Sequence, residues 1–403
     1  MVWIHGGGFL MGSGSEPMYD GTTFARRGDV VFVSLNYRLA DLGFLHLAHL
    51  DESYAGSGNN GILDQVAALE WVRDNIAALG GDPGNVTIFG ESAGGMSVGA
   101  LLVTPRAQGL FHKAIAQSGA VSNVIPDKLA AEVTDDFMGR LGVTTVDELL
   151  EVSTEQLLEK RAAMVAERLV DASATFGGEQ MTGAIPWQPV QDGTVIPDVA
   201  IEAIRGGSAQ VPLLVGTNRD EWKLFSMLDA ETITEEVLQR RTRPIAGDAT
   251  EFVDAYRAEN PDLEPKDVFT EMASDLVFRV PAIRLAEAQL AHQPVWMYLF
   301  DWKSRAFGGA LGACHAMELP FVFNTVAKDN MALFLGDGPI PAALADQIQD
   351  AWIAFAHGSN PNHAGLPDWP AYDTATRPTM QLAEPCEVVE DPLAAARILW
   401  ETV

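Results

Sequence analysis

The chain has 403 residues and a formal net charge of −29, with 55 acidic against 26 basic residues. Phosphate backbones and anionic lipid surfaces bind clustered positive charge, so we expect neither a nucleic-acid nor a membrane partner. Hydrophobic residues make up 47% and charged residues 20%, which is typical of a soluble globular protein with a large core. No apolar run approaches the roughly 18 residues that span a bilayer. No secretory signal is visible, and we expect a cytoplasmic protein.

Short apolar runs alternate with helical patterns, which predicts an α/β fold with a mostly parallel sheet and flanking crossover helices. Between the second and third runs, apolar residues from Leu63 to Leu79 recur at spacings of three and four, and Gly80 ends this predicted helix. The predicted strands are Met1–His5, Val30–Asn36, Val86–Phe89, Ala114–Gln117, Val211–Gly216 and Val295–Asp301.

Two long helical stretches interrupt this alternation, at about 124–184 and 222–292. Both lie between predicted strands, so they are insertions rather than separate domains. We therefore expect one domain over residues 1–403, with the two insertions forming a lid or side subdomains.

The first catalytic pattern is Gly90-Glu91-Ser92-Ala93-Gly94, which matches G-x-S-x-G. It lies between a predicted strand and a predicted helix over Ala93–Val103. A sharp strand-to-helix turn of this kind strains the serine backbone and raises its hydroxyl above the sheet. The amide of Ala93, at the helix N-terminus, can then donate to a developing oxyanion. A glycine-rich turn without chemistry is the alternative interpretation.

A second pattern favours the catalytic interpretation. His5-Gly6-Gly7-Gly8-Phe9 directly follows the first predicted strand. Three consecutive glycines let the backbone approach a ligand and turn its amides inward, as in the oxyanion loop of lipases and esterases. The glycine loop and the serine turn, which together form the oxyanion site of such enzymes, therefore occur in the expected order.

Together these segments resemble the type-B carboxylesterases, the group that includes the cholinesterases, and most closely the bacterial para-nitrobenzyl esterases. The resemblance covers nearly the whole chain and implies an α/β-hydrolase fold. Its most specific segments are WIHGGGF at 3–9, SLNYRLADLGFLHL at 34–47, DPGNVTIFGESAGG at 82–95, AIAQSG at 114–119, LLVGTNRDEWKLF at 213–225 and CHAMELPFVF at 314–323.

The resemblance implies Ser92 as nucleophile, Glu221 as the acid and His315 as the base, in the chain order of α/β-hydrolases. It implies three oxyanion donors, the backbone amides of Gly7, Gly8 and Ala93. It also assigns hydrogen bonds that support the site to Glu91, Ser118 and Glu318.

The residues alone leave the acid and the base open. Glu221 lies in a loop after a predicted strand, where such folds place catalytic groups. The other carboxylates that would serve physically are Asp192, Asp220 and Asp301. The histidines that compete with His315 are His5, His46, His49, His112, His357 and His363.

Two features depart from the family pattern. The family usually has glycine after the acid, whereas this chain has Trp222, whose ring either narrows the acyl side of the pocket or packs beneath the lid. The family also carries further strands before the HGGGF strand, so we expect Val30–Asn36 at an exposed sheet edge. By family position, the expected pocket walls are Phe9, Trp222, Leu224 and Phe225.

Two other patterns resemble a nucleotide-binding motif and a metal site, but their sequence context argues against both. Gly56–Gly61 matches G-x-G-x-x-G but does not directly follow a strand, so a turn at a helix start is the better interpretation. His46 and His49 lack a matching ligand set, so we expect no metal. We expect no cofactor of any kind.

We therefore expect a monomeric serine hydrolase that cleaves carboxylic esters, with short to medium acyl or aryl groups, through an acyl-enzyme. The alternatives are a catalytically inactive binding or adhesion relative, and an inactive fragment. The only partner expected is a small ester substrate.

Overall fold

The computed structural model describes residues 1–174, 185–227, 229, 231–258 and 261–402. Its centre is an eight-stranded sheet of order β10-β9-β8-β7-β4-β3-β1-β2, in which only β10 pairs antiparallel. A separate short sheet joins β5 and β6. The strands are β1 Val2–Ile4, β2 Val33–Leu35, β3 Thr87–Glu91, β4 Lys113–Gln117, β5 Ile125–Pro126, β6 Val190–Gln191, β7 Leu213–Asn218, β8 Val295–Phe300, β9 Pro378–Leu382 and β10 Glu387–Glu390.

The predicted α/β class with a mostly parallel sheet is confirmed, and each of the six predicted strands overlaps an observed one. β2 forms one edge of the sheet, bonded only to β1 among the described strands. The sequence interpretation missed β9 and β10, which follow the last predicted strand and complete the opposite edge.

Helices cover both faces of the sheet. The predicted helix after β2 is confirmed as α3, which continues as a 3₁₀ turn over Ile76–Leu79. The α-helices are α1 Thr22–Gly28, α2 Ala40–Phe44, α3 Asn60–Asn75, α4 Ala93–Val103, α5 Asp127–Leu141, α6 Val146–Leu150, α7 Thr154–Ala174, α8 Ala200–Arg205, α9 Lys223–Ser226, α10 Glu235–Thr242, α11 Ala249–Arg257, α12 Pro265–Ser274, α13 Val280–Gln289, α14 Leu319–Val322, α15 Ala332–Leu335, α16 Ala342–Gly358 and α17 Ala394–Trp400.

The two stretches expected as insertions contain α5 to α7 and α9 to α13. A π-helical turn, Asp275–Arg279, joins α12 to α13. Residues 175–184, 228, 230, 259 and 260 of these stretches lie outside the described residues.

Alternate residues of the central strands supply two hydrophobic cores. Because successive strand side chains point to opposite faces, Val2 and Ile4 join one core while Trp3 joins the other. Both faces of β1, β3, β4, β7 and β8 are buried. This burial explains why these strands are continuous apolar runs rather than alternating ones.

Trp3 is the centre of the second core. Its side chain is fully buried, and its ring lies 4.9 Å from Phe89, 4.9 Å from Phe323 and 5.0 Å from Tyr19, between ring centroids. Its indole Nε1 is buried without a hydrogen-bond partner among the described residues. Trp3 therefore contributes to the stability of the fold through packing alone.

We expect Trp3→Ala to lower the free energy of unfolding by about 3–5 kcal/mol, because it leaves a large cavity among aromatic rings. Trp3→Phe should cost less than half as much, since it keeps a ring and removes an unpaired N–H. Denaturant unfolding measures both, with Trp71→Ala, at a half-exposed tryptophan of α3, as the neutral control. Equal losses for the two Trp3 variants would contradict this account.

Candidate active site

Ser92 occupies the turn between β3 and α4. Its backbone has φ 57° and ψ −125°, which is a strained conformation for a residue with a side chain. The turn is tight because β1 passes directly beside it: a Cβ added to Gly94 would overlap the carbonyl oxygen of Ile4. Ser92 O accepts the first hydrogen bond of the helix, from Met96 N at 2.8 Å. The N-terminus of α4 thus lies directly after the serine.

The glycine loop after β1 lies against this turn. A Cβ placed on Gly6 would be 3.1 Å from Ser92 Cβ, so the two segments touch. Gly7 has φ +108° and Gly8 has φ +62°, values that residues with side chains rarely adopt. His5 supports the loop, because its Nδ1 donates to Gly6 O at 2.8 Å and its O accepts from Tyr37 Oη at 2.9 Å.

A glutamate and a histidine pair in the loops that follow β7 and β8. His315 Nδ1 lies 2.6 Å from Glu221 Oε2. The other oxygen of Glu221 accepts from Ser118 Oγ at 2.6 Å and from the backbone amide of Asn218 at 2.7 Å. Glu221 is fully buried. These bonds orient the imidazole and supply the buried carboxylate with the donors that it needs.

Glu91 approaches the opposite side of the imidazole, with Oε1 3.1 Å from His315 Nε2. Burial lowers the pKa of His315, but the charges of Glu91 and Glu221 outweigh burial and raise it to about 9. Burial raises the pKa of Glu91 to about 8, although His315 opposes that shift. The surroundings of the ring therefore favour its protonated form.

Glu318 completes the buried polar cluster. Its Oε1 accepts from Gln117 Nε2 at 3.0 Å, and its Oε2 accepts from Asn218 Nδ2 at 2.6 Å. The structure thus gathers Glu91, Ser118 and Glu318 around Glu221 and His315. Gln117 and Asn218 belong to the same cluster, and the sequence interpretation had missed both.

The competing carboxylates have other partners. Asp192 accepts from three consecutive backbone amides, Thr194 to Ile196. Asp220 accepts from Ala313 N, and Asp301 accepts from Gln381 Nε2. None of the three is the carboxylate that His315 contacts.

The competing histidines also have partners elsewhere. His5 stacks on Tyr37, His46 stacks on His49, and His49 Nε2 lies 3.0 Å from Asp135. His112 contacts a backbone atom of Val86, His357 contacts one of Gly28, and His363 contacts one of Gln347. Within the described residues, no group of three or more His, Cys, Asp or Glu side chains is arranged to hold a metal ion.

Aromatic side chains form a wall beside the imidazole. The ring of Phe225 lies 5.1 Å and that of Phe278 4.7 Å from the ring of His315, between centroids. Trp222 lies 4.8 Å from Phe225, and Leu224 is partly buried against the second core. Phe278 was not foreseen, because it reaches the site from the π-helical turn, 53 residues beyond Phe225 in the chain.

Phe9 differs from the expected pocket wall. Its φ of 59° turns the side chain into the first core, where it is fully buried and its ring lies 5.1 Å from Phe44. Phe9 therefore supports the glycine loop from within the core.

Comparison with known proteins identifies the family. The sequence profile of the Carboxylesterase family matches residues 1–398. The chain belongs to this family. The carboxylesterase is 42% identical to the para-nitrobenzyl esterase of Bacillus subtilis (strain 168), over 98% of this chain and 78% of that enzyme. It is also 37% identical to a liver carboxylesterase of Sus scrofa, over 93% of this chain and 68% of that enzyme.

A solved structure confirms the α/β-hydrolase fold. A carboxylesterase of Geobacillus stearothermophilus superposes with a TM-score of 0.86 at 39% identity, over 99% of this chain and 81% of that one. The protein is accordingly a carboxylic-ester hydrolase. No helix among its described residues is long and apolar enough to cross a membrane.

For this carboxylesterase we expect Glu91→Gln to lower the pKa of the His315 imidazole, because a negative charge 3.1 Å from Nε2 is lost while Glu221 and Glu318 remain. Titration of the ring by NMR measures the shift, which should be about one unit or more. Asp74→Asn removes an exposed charge of the same sign from α3 and should leave the titration unchanged. An unchanged His315 pKa in Glu91→Gln would refute the assigned electrostatic role.

Proposed function

We propose that this carboxylesterase cleaves esters through an acyl-enzyme, with Ser92 as nucleophile, His315 as general base and Glu221 as the acid. The 2.6 Å contact between His315 Nδ1 and Glu221 Oε2 is the observation that carries the proposal. That contact engages Nδ1, so Nε2, which lies 3.1 Å from Glu91 Oε1, is the nitrogen that would exchange a proton with substrate and nucleophile in the proposed reaction. The strained turn at Ser92, at the N-terminus of α4, adds independent support.

In the proposed first step, Ser92 Oγ attacks the ester carbonyl carbon while its proton passes to His315 Nε2. The intermediate's oxyanion accepts hydrogen bonds from the amides of Gly7, Gly8 and Ala93. Its collapse breaks the bond to the alcohol oxygen, which takes the proton from His315 and leaves the acyl group on Ser92. Water then attacks the acyl-enzyme by the same route and releases the carboxylic acid.

Three side chains support this chemistry in the proposal. Ser118 Oγ holds the carboxylate of Glu221, so that its other oxygen faces Nδ1. Glu91 and Glu221 lie on opposite sides of the imidazole and stabilise the imidazolium that forms in the first step. Glu318 contributes from further away, through its hydrogen bonds to Gln117 and Asn218.

We assign the substrate to small esters with short to medium acyl or aryl groups. The aromatic side chains Trp222, Phe225 and Phe278 support this assignment, because they provide an apolar surface next to the proposed base. No cofactor enters the proposed reaction.

We further propose that residues 124–184 and 222–292 form a lid and side subdomains of one catalytic domain over residues 1–403. The ion pair of Arg161 on α7 with the buried Asp41 on α2, at 2.5 Å, supports this for the first stretch. For the second, support comes from Phe225 and Phe278, which contact the ring of His315.

We expect Ser92→Ala to reduce kcat for para-nitrophenyl esters by roughly 10⁶-fold, because the nucleophile of a cooperating triad is lost. Ser122→Ala, at an exposed serine, should retain the parent rate. Mass spectrometry of parent enzyme treated with an organophosphonate ester should find one adduct, on Ser92. Hydrolysis by Ser92→Ala at the parent rate would exclude the serine mechanism, and an inert, folded parent would favour the binding alternative.

We expect Phe278→Ala to shift the acyl-length optimum of kcat/KM toward longer esters, because removing the ring enlarges the space beside His315. Each methylene accommodated is worth about 1 kcal/mol or more, or several-fold in kcat/KM. A series of para-nitrophenyl esters from acetate to decanoate measures the shift. Phe252→Ala removes a buried phenylalanine of α11, whose ring packs against Trp400 and not against His315, and should leave the optimum unchanged. An unchanged optimum in Phe278→Ala would show that Phe278 does not line the substrate pocket.

A further inference from the structure

We propose that Asn218 is a positioning residue that joins the loop of the acid, Glu221, to the loop of the base, His315. This inference rests on the proposed function, because it concerns the alignment of that same pair. Asn218 is the last residue of β7 and is 2% exposed. It touches neither the serine turn nor the glycine loop in any contact described above.

The backbone of Asn218 holds the acid. Its amide donates to Glu221 Oε1 at 2.7 Å, across the turn of three residues that follows β7. Glu221 Oε1 also accepts from Ser118 Oγ. With Oε1 fixed by two donors, Oε2 is directed to His315 Nδ1. This contact belongs to the main chain, so a substitution at position 218 retains it.

The side chain of Asn218 holds the base loop at two points. Its Nδ2 donates to Cys314 O, the carbonyl directly before His315, at 2.7 Å. The same Nδ2 donates to Glu318 Oε2, three residues after His315, at 2.6 Å. One amide group therefore bridges the residues on both sides of the proposed base. These residues, Cys314 and Glu318, are 96 and 100 residues from Asn218 in the chain.

The neighbouring strand strengthens the bridge. Gln117, the last residue of β4, donates through Nε2 to Glu318 Oε1 at 3.0 Å. Trp352 on α16 in turn donates to Gln117 Oε1 at 3.0 Å, which directs the Gln117 amino group toward Glu318. Both oxygens of Glu318 are thus held by amides at the ends of two hydrogen-bonded strands of the sheet.

The chemistry of the site requires a neutral donor at position 218. A backbone carbonyl and a carboxylate, both acceptors, face Nδ2, whereas Oδ1 is buried without a hydrogen-bond partner among the described residues. Aspartate would match the shape but would present acceptors and a further negative charge. Alanine would release Cys314 O and Glu318 together. Because reacting groups must align within about 1 Å, either change should misplace the imidazole.

The test compares Asn218→Ala and Asn218→Asp with parent enzyme in para-nitrophenyl butyrate hydrolysis, with rates normalised to the folded fraction from circular dichroism. We expect kcat to fall about 10- to 100-fold in both variants. KM should stay within about threefold, because Asn218 does not line the acyl wall. Asn218→Asp should also move the acid limb of the pH–kcat/KM profile upward, since it adds a charge to those of Glu91, Glu221 and Glu318 around His315.

Gln289→Ala is the matched control. Gln289 is a fully buried amide that also donates two hydrogen bonds to backbone carbonyls, of Ala209 and Val211, away from the site. Its loss should lower stability but leave kcat per folded enzyme unchanged. If the Asn218 variants behave like Gln289→Ala, with lower stability and parent kcat, Asn218 has only a structural role and the inference is overturned.

Two further measurements separate failure of this inference from failure of the proposed function. If Ser92→Ala is inactive in the same assay while both Asn218 variants retain parent kcat, the triad stands and the positioning role falls. If Asn218→Ala does not fold, kcat is measured for Asn218→Ser in its place. The pKa of His315 is also measured in Asn218→Asp. An unshifted His315 pKa together with unchanged kcat then refutes the inference.

Discussion

The backbone of β1 and the first turn of α4 approach so closely that no side chain fits between them at Gly94. Two consequences for the site follow from this contact. It forces the strand-to-helix turn into the strained conformation of Ser92, and it brings the loop that leaves β1 into contact with that turn. The two halves of the proposed oxyanion site are therefore adjacent because the sheet and helix are packed, and not because a flexible loop happens to close over the serine.

A second constraint is electrostatic. Three carboxylates, Glu91, Glu221 and Glu318, lie buried within one polar cluster around His315. Buried charge without partners is costly, and the cluster meets this cost with donors from Ser118, Gln117 and Asn218. The imidazolium formed during ester cleavage would be one more partner for these carboxylates. The cluster thus favours the charged state of His315 that the proposed chemistry forms.

How much the sequence predicted depends on how local each feature is. The serine turn and the glycine loop are contiguous patterns, and both were located from the residues alone. Glu221 and His315 are 94 residues apart, so the residues left several carboxylates and histidines open and only the family resemblance selected these two. Phe278 could not be found because a π-helical turn sets its direction. Phe9 was misplaced because its positive φ, invisible in the sequence, turns it into the core.

The polar cluster and one part of the aromatic wall come from different segments of the chain. Strand ends and the loops beside them carry the proposed acid, the proposed base and their donors, and the segment directly after Glu221 also carries Trp222 and Phe225. Phe278, in contrast, projects from a π-helical turn between α12 and α13. The side chain of Phe278 makes no hydrogen bond in the polar cluster, so a substitution at this position removes none of the bonds that hold Glu221 and His315. If the proposed roles hold, such a separation lets a change of ester preference arise at this position while the proposed catalytic residues are retained. In an engineered variant, the same separation makes the helical insertion the place to search for new selectivity.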